Sequence, residues 1–288
     1  MSNKCTWLKR FDALGLLPFA VLLHFGAISP NQRVLRGFMG NAVFEFPLKE
    51  KVRNYLRVEQ LLGQLKITAK SEHTHLQLVF FEQLFELLDL IERLDLRSDL
   101  TKDLEAHEKN LVYWSKHPKI DSAALEQALK TVLTLRQKLK TDRRFGSMLK
   151  DDKLLSAIRQ RFAIPGGACS FDLPNLHFWL QQPLEQRHAD IHQWLDTLGL
   201  LDDAIAVSLS FIRERGQFVD AVADNGFYQG AAEDKNELIR VKCSVDDGYY
   251  PTLSGNKYRY ALRFMLFSPE EGQSGAVESN IQFRLAAC

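Results

Sequence analysis

Lysine and arginine recur at alternate positions late in this 288-residue chain. Along residues 258–267 a period of two puts successive side chains on opposite faces of a strand. Tyr258, Tyr260, Leu262, Phe264 and Leu266 then share one face, and Lys257, Arg259, Ala261, Arg263 and Met265 the other. Arg259 and Arg263 would stand about 13 Å apart, near the reach of a short extended peptide. Residues 238–245 repeat the pattern, with Ile239, Val241, Cys243 and Val245 inward and Arg240 and Lys242 outward. Arg284 takes the outward role along 281–285. If these strands share a sheet, one face carries five or six cations and almost no acid. Like charges opposite each other cost a few tenths of a kcal/mol per pair, roughly. Two readings fit such a face equally: a surface for an acidic partner, or a solvated face that deters edge pairing.

Other constellations fail on their surroundings. His188 and His192 have the i, i+4 spacing of a helical metal pair, but Ala189 stands where a zincin carries Glu and no third ligand is evident. His73-Thr74-His75 has no chemical neighbour in sequence. Cys169 and His177 lack the setting that would lower a thiol pKa, so Cys169 reads as a small core residue. Gly166-Gly167 lacks the flanking pattern of a phosphate loop. No catalytic set, metal site or cofactor site survives, and the chain reads as a binding protein rather than an enzyme.

Composition bounds the class. With 45% hydrophobic and 25% charged residues the chain is globular, and a formal charge of +1 argues against wholesale coating of nucleic acid. Four scattered cysteines without a CxxC pair point to a reducing, cytoplasmic setting. Residues 1–38 differ from the rest. Lys4, Lys9 and Arg10 precede an apolar run from Leu14 to Ile28 that Pro18, His24 and two glycines interrupt. The run is too short and broken to span a membrane, and it has some likeness to a secretory signal. The expectation is an extension outside the fold, upstream of a start at Met39. Its charges are Lys4, Lys9, Arg10, Arg33 and Arg36 against Asp12, so the remainder carries 32 basic and 35 acidic residues, net −3. Any basic surface on the body is therefore local.

The elements that must position these cations follow from periodicity. Val43, Phe44 and Phe46 predict a short strand ending at Pro47. Helical spacing covers 49–66, 76–94, 100–114 and 123–140, which predicts an antiparallel bundle. A short helix over 153–161 leads into Ile-Pro-Gly-Gly-Ala-Cys-Ser-Phe-Asp-Leu-Pro at 164–174. There Cys169, Phe171 and Leu173, then Leu176, Phe178 and Leu180, predict a strand interrupted at Pro174. Helical spacing returns over 190–215, with Gly216 at the expected cap. Strands follow. The fold class is α+β: a helical bundle plus a mainly antiparallel β domain.

The segment 164–174 closely resembles the signature of the ZapD family of division-ring proteins. Asn225-Gly226-Phe227-Tyr228-Gln229 and Ser254-Gly255-Asn256-Lys257, running into Arg259–Met265, are also similar to that family. The resemblance implies a homodimer that binds the C-terminal tail of the tubulin-like GTPase FtsZ and bundles its protofilaments at mid-cell, with no nucleic acid and no membrane as partners. It implies discontinuous domains: helical over 57–152 and 190–215, β over 39–56, 153–189 and 216–288. It tips the basic face towards function and adds Lys153, giving partner-binding candidates Lys153, Arg240, Lys242, Lys257, Arg259 and Arg263. The rival reading is a single-stranded nucleic-acid binder using the same face. The alternation opposes it, because Tyr258 and Tyr260 fall on the face away from the cations. Phe171 and Trp179 are expected to be core, with Phe171→Ala costing about 3–5 kcal/mol.

Overall fold

The computed structural model describes residues 40–115, 122–255, 258–267 and 275–288. The expectations for residues 1–38 and for Lys257 lie outside the described residues. The described residues divide into two compact units, one helical (49–115 and 126–213) and one that holds the β-strands (40–48, 122–125, 214–255, 258–267 and 275–288).

In the helical unit, α1 (Glu50–Thr68), α2 (Thr74–Arg93), α3 (Leu96–Trp114) and α4 (Ser122–Thr141) are the four long helices anticipated. Then come α5 (Ser147–Asp151), α6 (Lys153–Phe162), α7 (Pro174–Leu180), α8 (Leu184–Asp196) and α9 (Gly199–Arg215). The apolar stripe of α2 buries Phe80, Phe81, Leu84 and Leu88. Around it gathers an aromatic cluster. The Phe81 ring lies 5.3 Å from Trp179 of α7 and 5.7 Å from Trp194 of α8, and Phe85 lies 5.6 Å from Phe162 of α6. Both indole N–H groups are satisfied, Trp179 donating to Asp190 at 2.8 Å and Trp194 to Asp152 at 3.2 Å. Asp152 also caps α6 by accepting from the Leu155 N–H at 2.9 Å.

The central segment departs from expectation. Residues 163–173 form consecutive turns, and 174–180 form α7. Several of its N–H groups are used locally: Gly167 donates to Ile164, Cys169 to Gly166, and Asp172 and Leu173 both to Cys169. These short-range bonds close turns rather than a ladder. Pro174 opens a helix rather than interrupting a strand, since its fixed φ suits the first helical position. Gly166 takes φ +76, which favours glycine. The buried set is Leu173, Leu176 and Trp179, a spacing of three that belongs to one helix face. Trp179 is core, at 5% exposure, but Phe171 is 82% exposed. Phe171 therefore cannot carry the core cost expected of it. Residues 153–189 group with the helices, not with the strands.

The β unit is a sandwich of two antiparallel sheets. One has the order β1 (Asn41–Pro47), β4 (Leu238–Ser244), β7 (Ile281–Ala287), β2 (Val219–Ala223). The other runs β3 (Phe227–Ala231), β6 (Arg259–Leu266), β5 (Tyr249–Gly255). Strand β1 joins by pairing Phe44 with Val241 and Phe46 with Ile239. The inner faces share one core, in which Ile239, Val241, Cys243, Ile281, Phe283 and Leu285 meet Tyr260, Leu262 and Phe264. Phe283 locks the layers, its ring 5.2 Å from Phe264 and 5.4 Å from Tyr228. A tight turn with Asn225 (φ 49) and Gly226 (φ 68) passes the chain from β2 to β3, the geometry that favours Asn-Gly. Gly230 lies opposite Tyr260 in the register, and a Cβ there would collide with the Tyr260 ring. Burial at this site pushes the Tyr260 hydroxyl pKa up to about 12.

Candidate functional site

The cations read from the late strands do not form one face. Arg240, Lys242 and Arg284 lie on the four-stranded sheet, and Arg259 and Arg263 on the three-stranded one. Each alternates with residues of the shared core, so the two groups point away from that core on opposite outer surfaces of the sandwich. Sheet membership decides this. A strand's own period says which residues share a side, not which strand lies beside it.

On the four-stranded sheet the positive charge is largely answered. Arg240 pairs with Glu45 across the β1–β4 register at 2.9 Å, and its guanidinium sits 5.3 Å from the Phe218 ring centroid. Arg284 pairs with Asp220 at 3.4 Å, donates to the Phe218 carbonyl at 3.2 Å, and lies 6.0 Å from the same ring. A ladder of Glu45, Arg240, Phe218, Arg284 and Asp220 thus crosses the sheet. Glu45 and Asp220 are the acids missing from the alternation argument, because they sit on strands far away in sequence. Lys242 lies beside Arg284 and opposite Val43.

The three-stranded sheet differs. Arg263 stands between Phe227 of β3 and Thr252 of β5, and its guanidinium lies 5.6 Å from the Phe227 centroid. The Thr252 hydroxyl donates to the Arg263 carbonyl at 3.0 Å. The next row holds Gln229, Ala261 and Ser254, and Arg259 faces Ala231. Met265 faces Tyr250. None of these outward residues is acidic. Both arginines are exposed, and Phe227 and Tyr250 remain 41% and 39% exposed. The arrangement offers two guanidiniums, two aromatic surfaces and small polar side chains that leave room for an extended backbone. Phe227 and Tyr250 were missed in the sequence. The Asn225-Gly226 pair was the available signal, because a two-residue hairpin turn starts a strand at Phe227.

Lys153 belongs to the helical unit, not to these strands. It is the first residue of α6 in the helical unit, where it is exposed. Among the described residues no group of three or more His, Cys, Asp and Glu is placed to hold a metal ion. His188 is instead 3.4 Å from the Ser71 carbonyl. Burial raises the Cys243 thiol to about 11, so it is held as a neutral core side chain. No described helix is long and apolar enough to cross a membrane.

Comparison with known proteins places the chain. A family model described as ZapD, cell division protein, matches residues 56–263. Cell division protein ZapD of Vibrio parahaemolyticus is 40% identical over 245 residues, covering 85% of this chain and 98% of its own length. That of Aliivibrio salmonicida is 40% identical over 250 residues, covering 87% and 99%. That of Serratia proteamaculans is 38% identical over 248 residues, covering 86% and 98%. With an α+β fold, the three ordered motifs and these matches, the chain belongs to the ZapD family of cell division proteins.

Proposed function

We propose that this protein binds the C-terminal tail of FtsZ through the outward face of its three-stranded sheet and, as a homodimer, bundles FtsZ protofilaments to stabilise the division ring. The observation that carries the reading is the face itself: Arg259 and Arg263 exposed, with no acidic side chain among the outward residues of β3, β5 and β6. A peptide bearing carboxylates would be drawn there and held by charge-assisted hydrogen bonds. Phe227 and Tyr250 would add apolar contact. A two-fold dimer presents the face twice. Filaments present many copies of a flexible tail, so a modest single-site affinity becomes strong cross-linking. The reading uses no nucleotide, metal or catalytic step. It places the protein in the cytoplasm at mid-cell.

The four-stranded sheet takes a lesser part. Arg240 is committed to Glu45 and Phe218, which leaves Lys242 as the cation there most able to meet a partner. The test is co-sedimentation with FtsZ filaments that carry or lack the C-terminal tail. The tail should be required, and raised salt should weaken the interaction.

One observation favours a second reading. Phe227 and Tyr250 lie on the arginine face, so aromatic surfaces for base stacking are present where Tyr258 and Tyr260 could not supply them. A steep salt dependence of binding to single-stranded oligonucleotides, with loss on Phe227→Ala, would support it.

A further inference from the structure

Arginine stands where the pattern of α8 calls for an apolar side chain. The buried residues of that helix are Arg187, Ile191 and Trp194, spaced four and three apart on one face. Arg187 is only 9% exposed. A cation taken out of water needs an opposite charge or a full set of hydrogen bonds. Elsewhere in the helical unit Arg136 meets Glu108, Arg159 meets Glu92 and Arg213 meets Glu59. Arg187 meets no carboxylate among the described residues. Its Nε donates to the Gln182 carbonyl at 3.1 Å and its Nη1 to Gln77 Oε1, both neutral acceptors. Nη2 has no partner among the described residues and is not sealed from solvent. Glu72 and Glu185, the acids nearest to these groups in sequence, are exposed and do not bond to it. Asp190 is taken up by Trp179 and Gln186.

The groups joined to Arg187 add positive potential. Gln77 is the fourth residue of α2, and its Nε2 donates to the Ser71 carbonyl at 3.3 Å. His188 Nε2 lies 3.4 Å from the same carbonyl. The guanidinium is thus tied to the first turn of α2 while standing in the second turn of its own helix. Neither α2 nor α8 has a side-chain cap, and α2 has no acid in its first turn. Such helix starts present unbonded N–H groups and the positive end of the helix dipole. A phosphoryl group has oxygens on several sides, so it can take a guanidinium and helix N–H groups together.

We propose that Arg187, with the first turns of α2 and α8, is a binding site for a phosphoryl group. The test melts the full chain in inorganic phosphate and in chloride at equal ionic strength. At phosphate tenfold above its dissociation constant the parent should melt about 3–6 °C higher than in chloride. Gln77→Glu sets a carboxylate against Arg187 from within the fold, so this variant should stay folded and lose the increment. Arg187→Gln should lose it too; that change can lower the melting temperature by itself, so the increment is what is compared. A parent without an increment, or an increment that survives either variant, overturns the site. An equal increment from acetate overturns phosphate as its ligand. Glycerol 3-phosphate acting at lower concentration than inorganic phosphate would assign the group to a soluble phosphomonoester. Sedimentation with phosphatidic acid vesicles that Gln77→Glu abolishes would assign it to a lipid headgroup.

Discussion

The two outer faces of the β-sandwich carry similar numbers of cations and use them differently. On the four-stranded face, Arg240 and Arg284 are matched by Glu45 and Asp220 and share the Phe218 ring. On the three-stranded face, Arg259 and Arg263 have no acid among the outward residues of their own and neighbouring strands. A cation answered within the fold contributes to holding strands in register. A cation with no acid in its own sheet does not hold strands in register in that way. Counting basic residues alone does not separate the two faces, whereas pairing across the register does.

That comparison can be broken at several strengths. Removing the lock between the layers has the largest effect: Phe264→Ala should cost about 3–5 kcal/mol, and calorimetry should show both faces lost together. Arg240→Ala is next. Its side chain is 21% exposed and its partner Glu45 19%, so stranding the carboxylate should cost about 1–3 kcal/mol. A double-mutant cycle with Glu45→Gln should recover much of that loss, while tail binding stays near normal. Phe227→Ala should lower stability by only about 0.5–1 kcal/mol through the lost cation–π contact. Tail affinity should nevertheless fall several-fold in a titration. Arg284→Ala, at 51% side-chain exposure, should move chemical denaturation by less than about 0.5 kcal/mol. Tail affinity unharmed by Phe227→Ala but lost on Arg240→Ala would reverse the assignment of the faces.

Much of the fold was legible because local period and burial agree. The alternation of 238–245 and 258–267 gave β4 and β6, and the wide stripe of 76–94 gave α2. Legibility failed where a pattern had two solutions. Leu173, Leu176 and Leu180 satisfy a strand broken at Pro174 and equally a short helix started by it, and local hydrogen bonds chose the helix. Phe171 looked like core because it is large and apolar, yet its turn directs it to solvent. Strand β5, with Pro251 in its middle, has no clean alternation. The sorting of strands into two sheets is a long-range outcome of core packing, so no local signal could divide the cations. The shared side of Arg259 and Arg263 was legible from spacing. Their neighbours Phe227 and Tyr250 required the register.

The most direct measurement compares filament bundling by two charge-reversal variants at physiological salt, alongside their melting temperatures and oligomeric states. Arg259→Glu, Arg263→Glu should stay folded, with a melting temperature like that of the parent, and should lose bundling of FtsZ filaments. Arg240→Glu should melt earlier and still bundle at temperatures where it is folded. Full bundling by folded Arg259→Glu, Arg263→Glu would contradict the account.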